Sequence, residues 1–206
     1  MTTDDPTRDP DTPLTSKGAR TRRSILDAAI VRFGRDGYRA TSVADVARDA
    51  GVGGTVAYAY FPNKEALFLA AADEDAAELV AKGLSIVFDD PQRVDWFARV
   101  MSTLVGSLDD HPLARRLLAG LEPDVTQRVL EIPALAELRK ACTERLRAEQ
   151  LGGSVRRDID PAQIANGMVM VILSLLRSTV QLGLEATAPY ATDITAVFSA
   201  AIDIPR

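Results

Sequence analysis

Side chains that commonly carry catalysis or bind metals are scarce in this 206-residue chain. His111 is the only histidine, so neither a His-based metal site nor a Ser-His-Asp arrangement has its parts. Asp109 and Asp110 precede it in LDDHPLA and could bind a cation, although acidic turn residues are more often simply solvated. The single cysteine, Cys142, lies in a charged segment and is most simply interpreted as a small packed residue. We therefore expect no enzyme activity, no cofactor and no metal site.

Basic side chains cluster in one part of the chain, where they could bind phosphate. Residues 17–64 contain nine Lys or Arg against four Asp, a net charge of +5. Residues 1–16 carry −3 and residues 65–206 carry −7, so the overall charge of −5 hides a basic block. A basic block of this kind in an acidic protein indicates a polyanionic partner.

Three further features of the sequence predict a soluble protein in a reducing compartment. The N-terminal stretch MTTDDPTRDPDTPLTSKG is acidic and rich in Pro and Thr without an apolar run, so we expect no signal peptide and a disordered tail over residues 1–18. A single cysteine excludes an intrachain disulfide and fits a reducing cytoplasm. The longest apolar run, Met168–Leu176, is flanked by Asn166, Arg177 and Gln181. This pattern favours a buried helix over a membrane span.

Helical periodicity dominates the chain and predicts the elements that must position the basic block. The stretch TRRSILDAAIVRFGRDGY predicts an amphipathic helix of three to four turns that ends at Gly37. The next stretch, TSVADVARDAG, predicts a short helix capped by Ser42 and stopped at Gly51. A third helix of about two turns follows from Gly53 and ends at Pro62. Together the second and third helices predict a helix-turn-helix.

A long helix is expected from Lys64 to about Val87, with Asn63 as its cap. A cation in the first turn opposes the helix dipole, and a phosphate beside the helix N-terminus would explain it. The plain alternative is a solvated lysine, which costs a few tenths of a kcal/mol. The inner side of this helix is expected to carry Phe68, Ala72, Ala76, Leu79 and Val80.

At this point the residues amount to a resemblance. The stretch SILDAAIVRFGRDGYRATSVADVARDAGVGGTVAYAYFPNKEALFLAA resembles the DNA-binding region of the tetracycline-repressor (TetR) family of bacterial transcription regulators. The match covers about residues 20–72, a quarter of the chain. The motifs that carry the resemblance are Phe33 and Gly37, Thr41-Ser42-Val43, Asp45-Val46-Ala47, Ala50-Gly51-Val52, Tyr58, Tyr60-Phe61 and Lys64-Glu65-Ala66-Leu67.

The resemblance implies roles for the residues that match the family pattern. Thr41 or Ser42 corresponds to a hydroxyl that touches phosphate, Tyr58 to a tyrosine that reaches the DNA backbone, and Lys64 to a lysine that binds a phosphate. The recognition helix departs from the family at four positions. Gly53 stands where Ser is usual, and Gly54 stands where Lys or Arg is usual. Thr55 replaces the usual Gly or Pro, and Val56 replaces the usual Thr or Ser. Ala59 replaces a common His or aromatic residue. Base-reading roles therefore cannot be copied across.

The exposed face of the third helix carries no Arg, Lys, Asn or Gln that could read a base edge. We expect direct readout from the Thr55 hydroxyl, from Tyr58, and from contacts of Val56 and Ala59 with thymine methyl groups. Glycines allow close approach of the backbone, and DNA shape supplies further specificity. Three arginines before the first helix are candidates for backbone or minor-groove contacts, or are a solubilising charge run. The expected DNA-binding residues are Arg20, Arg22, Arg23, Thr41, Ser42, Gly53, Gly54, Thr55, Val56, Tyr58, Ala59 and Lys64.

The chain beyond residue 90 predicts further helices and an all-α fold. We expect a DNA-binding domain over residues 19–64 and a helical effector-binding and dimerisation domain over residues 65–206. The predicted helix 161–186 is apolar on nearly all sides, so one face is expected to meet its own core and the other a second copy of the chain. The resemblance also implies a four-helix dimer interface, completed by a last helix at about 189–202. The expected interface residues are Val169, Leu173, Leu176, Val180 and Val197.

Aromatic and methionine side chains on helices with few charges favour an apolar ligand pocket, although plain helix packing is the alternative. Arg99, Arg115 and Arg116 are candidates to hold an acidic head group at the mouth of such a pocket. A fatty acyl derivative or a hydrophobic drug fits better than a sugar or a nucleotide. The expected effector-binding residues are Trp96, Phe97, Met101, Leu104, Leu118, Leu121, Met168 and Ile172.

Two functions from different classes remain at this point. The first is a ligand-responsive repressor in the cytoplasm, which binds an inverted-repeat operator in duplex DNA as a homodimer and is released by a small, mostly apolar effector. The alternative is an acyl- or lipid-binding helical protein with a decayed helix-turn-helix. The unusual segment from Gly53 to Ala59 is the observation behind this alternative.

Overall fold

The computed structural model describes residues 12–89, 96–124 and 131–204, and these ranges are helical without a strand. The all-α prediction is confirmed. A short 3-10 turn, Leu108–Asp110, separates two of the helices. The helices are α1 Thr12–Ala40, α2 Val43–Asp49, α3 Gly54–Tyr60, α4 Lys64–Asp89, α5 Trp96–Ser107, α6 Pro112–Leu118, α7 Pro133–Gly152, α8 Pro161–Leu182 and α9 Leu184–Ile202.

The first hydrophobic core joins α1, α2, α3 and the N-terminal half of α4. Its centre is aromatic: the Phe33 and Phe68 rings lie 5.0 Å apart edge to face, and Tyr38 lies 5.1 Å from Phe68. These arrangements suit the quadrupoles of the rings. Most of the apolar positions that the helical period predicts for the first two helices are buried, and Ala50 is half-buried. The buried ones are Ile25, Leu26, Ala29, Ile30, Phe33, Val43, Val46 and Ala47.

Helix α1 begins earlier than expected. Thr12–Gly18 forms the first turns of α1, whereas the sequence predicted a tail without structure over residues 1–18. Residues 1–11 lie outside the described ranges. Pro13 sits in the first turn, where its missing N–H leaves no helical bond unmade. A Cβ added at Gly18 would lie 3.5 Å from the Tyr60 hydroxyl, so the start of α1 runs beside the end of α3.

Two further helices, α4 and α6, belong to both hydrophobic cores. In α4, Phe68 and Ala72 pack in the first core, whereas Leu79 and Val80 pack in a second core with α5, α7 and α8. In α6, Leu113 and Leu117 pack in the first core and Ala114 in the second. The two hydrophobic cores are therefore joined by two continuous helices, α4 and α6.

The C-terminal helices differ from the prediction at one boundary. The helix expected over 161–186 ends at Leu182, because Gly183 has φ +89°, and α9 begins at Leu184. Helix α8 is long and apolar enough to cross a membrane by length and composition only, and one of its stripes packs in the second core. The outer faces of α8 and α9 leave large apolar side chains exposed, namely Met170, Leu182, Leu184, Tyr190 and Val197.

Candidate DNA-binding surface and ligand cavity

The N-terminus of α2 is held by a reciprocal cap. The Ser42 Oγ accepts the backbone N–H of Asp45 at 3.1 Å, and an Asp45 carboxylate oxygen accepts the Ser42 N–H at 3.3 Å. The hydrogen bond from the Ser42 hydroxyl is the largest influence that lowers the pKa of Asp45. Thr41 is only 2% exposed, so it cannot touch phosphate from this position, and Ser42 is the exposed hydroxyl of the two candidates.

Helix α3 is anchored by its inner face and presents a small, mostly apolar outer face. Ala57 is fully buried and Phe61 at the C-cap is 3% exposed. The opposite face carries Thr55, Val56, Tyr58 and Ala59, all exposed, with Gly54 half-buried and Gly53 exposed at the N-cap. The predicted division of this helix into an inner and an outer face is confirmed. Its outer surface offers one hydroxyl, one phenol and apolar groups.

Four cations on α1 and α4, the helices on either side of the helix-turn-helix in sequence, have no carboxylate partner in the ranges that the structure describes. Lys17, Arg20 and Arg22 lie near the start of α1, and Lys64 opens α4. The Arg22 guanidinium lies 5.5 Å from the centre of the Phe61 ring, and the Lys64 ammonium lies 4.4 Å from the centre of the Tyr38 ring. Aromatic faces hold Arg22 and Lys64 in place, and the Lys64 ammonium also donates to the Arg39 carbonyl at 3.5 Å. Lys17 was not singled out from the sequence, although it lies one helical turn before Arg20.

Arg23 does not belong to this set. Its guanidinium pairs with Asp27 at 2.8 Å and Glu74 at 2.5 Å, and also with Glu78. The hydrogen bond to Glu78 is the largest influence that raises the pKa of Arg23. Three carboxylates compensate its charge, so Arg23 links α1 to α4 in the structure, and the DNA contact expected for it has less support than that of Arg22. Four more arginines of the basic block are paired in the same way, namely Arg32 with Asp49, Arg35 with Asp36, Arg39 with Asp124 and Arg48 with Asp45.

An apolar cavity of about 250 Å³ lies between α4, α5, α6, α7 and α8. Of the eight expected effector residues, Leu104, Leu118 and Ile172 line it. The cavity therefore agrees with only part of the predicted set.

The other five expected effector residues lie elsewhere. Trp96 and Phe97 are core residues, with Phe97 packed 4.7 Å from Phe198. Met168 is fully buried in the second core, and Leu121 is 58% exposed. Met101 lines a separate recess of about 270 Å³ between α5, α8 and α9. None of these five side chains lines the cavity between α4, α5, α6, α7 and α8. Sequence periodicity does not distinguish a packed core from a cavity wall.

The expected head-group arginines also lie elsewhere. Arg115 pairs with Asp109 at 3.4 Å, and Arg116 pairs with Glu122 at 2.6 Å. Neither of these arginines nor Arg99 lines the cavity, whereas Arg177 of α8 does. Sequence reasoning treated Arg177 only as a charge that interrupts an apolar helix.

A buried polar pair joins α4 to the start of α6. The His111 Nδ1 lies 2.9 Å from an Asp75 carboxylate oxygen, and the other oxygen accepts the Ala114 N–H at 2.8 Å. Both residues are at most 3% exposed. The sequence analysis placed His111 in a turn but did not single out Asp75. The signal that could have found Asp75 is the position of an acidic residue within the apolar stripe of α4. The pair fixes α6 on α4.

The other candidate reactive groups are structural in the described ranges. Asp109 and Asp110 are exposed and pair with Arg115 and Lys82. Those ranges contain no group of three or more side chains that could hold a metal ion. Burial raises the pKa of the Cys142 thiol to about 12, which keeps it protonated and unreactive.

The expected dimer residues divide into buried and exposed groups. Val169 is fully buried and Leu176 is 3% exposed within their own bundle, so these two are corrected to core positions. They lie on the stripe of α8 that faces the second core. Leu173 and Val180 are half-buried, and Val197 on α9 is 68% exposed.

Comparison with known proteins identifies the helix-turn-helix and the fold. The family described as bacterial regulatory proteins, tetR family, matches residues 25–71. The HTH-type transcriptional repressor Rv1474c of Mycobacterium tuberculosis is 32% identical over 149 residues, which cover 68% of this chain and 72% of that protein. A TetR-family transcriptional regulator from Pectobacterium atrosepticum has a TM-score of 0.72 and 18% identity, over 93% of this chain and 98% of that chain.

A second solved structure of the same fold contains a ligand. FadR from Bacillus subtilis, in complex with stearoyl-CoA, has a TM-score of 0.68 and 18% identity, over 85% of this chain and 96% of that chain. Likeness at this level of identity concerns the fold. The relationship to the mycobacterial repressor and the family match over α1 to α4 go further, and they show that this chain belongs to the TetR family of bacterial transcriptional regulators.

Proposed function

We propose that the protein is a cytoplasmic repressor, not an enzyme, which binds an inverted-repeat operator as a homodimer and releases it when a small, mostly apolar effector enters the cavity. The observation that carries this proposal is a set of four cations on α1 and at the start of α4 that have no carboxylate partner among the residues that the structure describes. The capped α2 and the well-packed first core argue against a decayed helix-turn-helix. The acyl-binding alternative without DNA binding therefore has less support.

In the proposed complex α3 enters the major groove and the four cations bind phosphates on either side. Phosphate contacts position the protein, whereas base contacts specify the sequence. Thr55 and Tyr58 supply the polar contacts, and Val56 and Ala59 meet thymine methyl groups. The small side chains at Gly53 and Gly54 allow the start of α3 to approach the bases closely.

The outer faces of α8 and α9 supply the proposed dimer contact. Exposed apolar side chains on these two helices include Met170, Tyr190 and Val197. Burying such a surface against a second copy removes it from water. A two-fold dimer then presents two α3 helices to half-sites about one DNA turn, roughly 34–36 Å, apart.

Release requires an effector that binds one arrangement of the two helix-turn-helix units better than the other. The cavity wall includes parts of α4 and α6, and both helices also pack in the first core. Displacement of either helix by a ligand would move Lys64 and the core beneath α3. The stearoyl-CoA in FadR of Bacillus subtilis, a protein of the same fold, supports an acyl-type effector.

Selection of bound sequences from random duplex DNA with the purified full-length protein tests this proposal. We expect an inverted repeat, with binding that weakens by orders of magnitude between low and physiological salt. Light scattering on the selected complex should show two chains per operator. Absence of an enriched motif, or binding that does not respond to salt, would contradict the proposal.

A further inference from the structure

We propose that the cavity takes an anionic amphiphile of medium chain length, with its apolar chain inside and its acidic group on Arg177. This inference rests on the proposed effector site and specifies its ligand. It follows from the chemistry of the wall, the position of one cation and the size of the space.

The wall of the cavity favours an apolar chain. Fifteen of its seventeen lining residues are apolar, and the other two are Ser174 and Arg177. The Ser174 hydroxyl already donates to the Met170 carbonyl at 2.8 Å. A sugar or a nucleobase inside would leave its polar groups without partners, which costs about 1–3 kcal/mol for each group. An alkyl chain has no such cost.

Arg177 is the one charged side chain among the described residues that line the cavity. It has no carboxylate partner in those ranges, in contrast to Arg115 and Arg116, which are both paired. Its guanidinium lies over the turn after α6, since a Cβ added at Gly120 would be 3.5 Å from Nη2. A guanidinium binds a carboxylate or a phosphate through parallel N–H bonds. The open cation therefore favours an anion at this edge of the cavity.

The volume limits the length of the chain. At about 250 Å³ the cavity is smaller than the roughly 300–1,000 Å³ typical of sites for drug-sized ligands. A space below this range suits a short chain, and eight carbons, each similar in size to a water molecule, are a suitable first probe length. The inferred ligand is therefore shorter than a stearoyl chain. A carboxylate and the phosphates of a coenzyme A ester share the anionic chemistry that Arg177 requires.

Calorimetry with the purified full-length protein and four probes of one chain length tests the inference. The probes are octanoate, octanoyl-CoA, 1-octanol and octylamine, with stearate as the length control. We expect both anions to bind more tightly than the alcohol, the amine to bind worst, and stearate to bind more weakly than octanoate. Tighter binding of octanoyl-CoA than of octanoate would show that Arg177 binds the phosphates of a coenzyme A ester. Tighter binding of octanoate would show that it binds the carboxylate of a free acid.

Variants at the cation decide whether Arg177 is responsible. Arg177→Gln should weaken octanoate binding about tenfold, as expected for the loss of a hydrogen bond to a charged group, and leave 1-octanol binding unchanged. Arg177→Glu should reverse the preference in favour of octylamine. Arg115→Gln is the matched control, because it removes the same charge from a residue outside the cavity wall, and it should change nothing.

Several outcomes would overturn the inference. These are equal affinities for octanoate and 1-octanol, unchanged octanoate binding in Arg177→Gln, or no binding of any eight-carbon probe. Circular dichroism of each variant without ligand checks that the fold is intact. Since these measurements contain no DNA, failure of the ligand inference and failure of operator binding are seen separately.

Discussion

At the scale of single residues, the availability of a cation depends on its neighbours more than on its charge. Arg22 and Arg23 are adjacent in sequence, yet Arg22 lies against the Phe61 ring while Arg23 is surrounded by three carboxylates. A phosphate would have to displace those carboxylates before it could bind Arg23. Substitution of each arginine therefore separates a role in DNA binding, expected for Arg22, from a role in the stability of the fold, expected for Arg23.

Arg22→Ala should weaken DNA binding, whereas Arg23→Ala should mainly lower the free energy of unfolding. Exposed ion pairs contribute about 0.2–1 kcal/mol each, so we expect a modest loss of stability for Arg23→Ala. Titration with the selected operator and urea unfolding measure the two effects. The opposite pattern, with Arg23→Ala losing DNA affinity at unchanged stability, would show that the carboxylates give way to phosphate.

Lys64→Ala should weaken binding to all DNA sequences alike and lower the slope of log affinity against log salt by about 0.9 for one lost phosphate contact. Lys82→Ala is the matched control, because Lys82 lies on the same helix but pairs with Asp110. Thr55→Ala should instead relax base preference at one or two positions. A changed motif for Lys64→Ala with an unchanged one for Thr55→Ala would contradict the assignment of the two sites.

At the scale of elements, local hydrogen bonds and one glycine determine where α2 begins and where α1 kinks. The cap between Ser42 and Asp45 fixes the start of α2. Gly37 kinks α1 near its end, before Ala40, with φ +85° and ψ 171°, a conformation open essentially to glycine alone. The N–H of the next residue, Tyr38, donates to a Glu122 carboxylate oxygen at 3.1 Å, and Arg116 donates to the same oxygen at 2.6 Å.

Gly37→Ala should lower the free energy of unfolding by about 1–3 kcal/mol from backbone strain, with a further loss from crowding. A Cβ there would lie 2.4 Å from Arg116 Nη2 and 2.6 Å from Glu122 Oε1. Gly51→Ala is the control, since Gly51 also has positive φ, at +68°, but no atom within 4 Å of the added Cβ. Thermal or urea unfolding that ranked Gly51→Ala as the more damaging change would show that crowding at Gly37 is unimportant.

Asp45→Asn should be most destabilising near neutral pH. The pKa of Asp45 is lowered below its ordinary value of 3.8, first by the Ser42 hydroxyl. A carboxyl with a lowered pKa in the folded state stabilises fully above its unfolded pKa, and this stabilisation disappears as the pH falls through its folded pKa. The difference in unfolding free energy between wild type and Asp45→Asn should therefore shrink below pH 3.8. A difference that stayed constant with pH would exclude ionisation of Asp45 as its source.

At the scale of the whole molecule, α6 connects the cavity to the first core. Ala114, Leu117 and Leu118 line the cavity, and Leu113 and Leu117 pack beneath α1. A Cβ added at Gly34 of α1 would lie 2.8 Å from the Pro112 Cβ, so the two helices are in close contact. A ligand that moves α6 would therefore press directly on α1.

Val197→Glu should convert the proposed dimer into monomers, because a charge buried at an apolar contact has no partner. Val197 is 68% exposed in the single chain, so the variant should fold normally. Val31→Glu on α1 is the matched control, since Val31 is 58% exposed and lies far along the chain from α8 and α9. Light scattering that still found dimers of Val197→Glu would place the interface elsewhere.

Local features of this protein could be predicted from its sequence because they depend on residues within about one helical turn. The helical period and short-range hydrogen bonds predict four such features. They are the cap at Ser42, the break in α1 at Gly37, the Asn63 cap of α4, and the inner and outer faces of α3. The early start of α1 and the break at Gly183 were missed. At Gly183 a single glycine with positive φ ends the helix although the apolar pattern continues, and at the start of α1 the composition rich in Pro and Thr did not prevent a helix.

The sequence by itself determined the helices, the basic block and the motifs of the family, because each is written in neighbouring residues. Only the tertiary structure decided which cations are unpaired, which apolar residues line a cavity and which face outward. Arg23 meets Glu74 across 51 positions, and His111 meets Asp75 across 36. Val169 is buried while Met170 beside it is 52% exposed. Such outcomes depend on how distant helices pack, and the pattern along one helix does not contain that information.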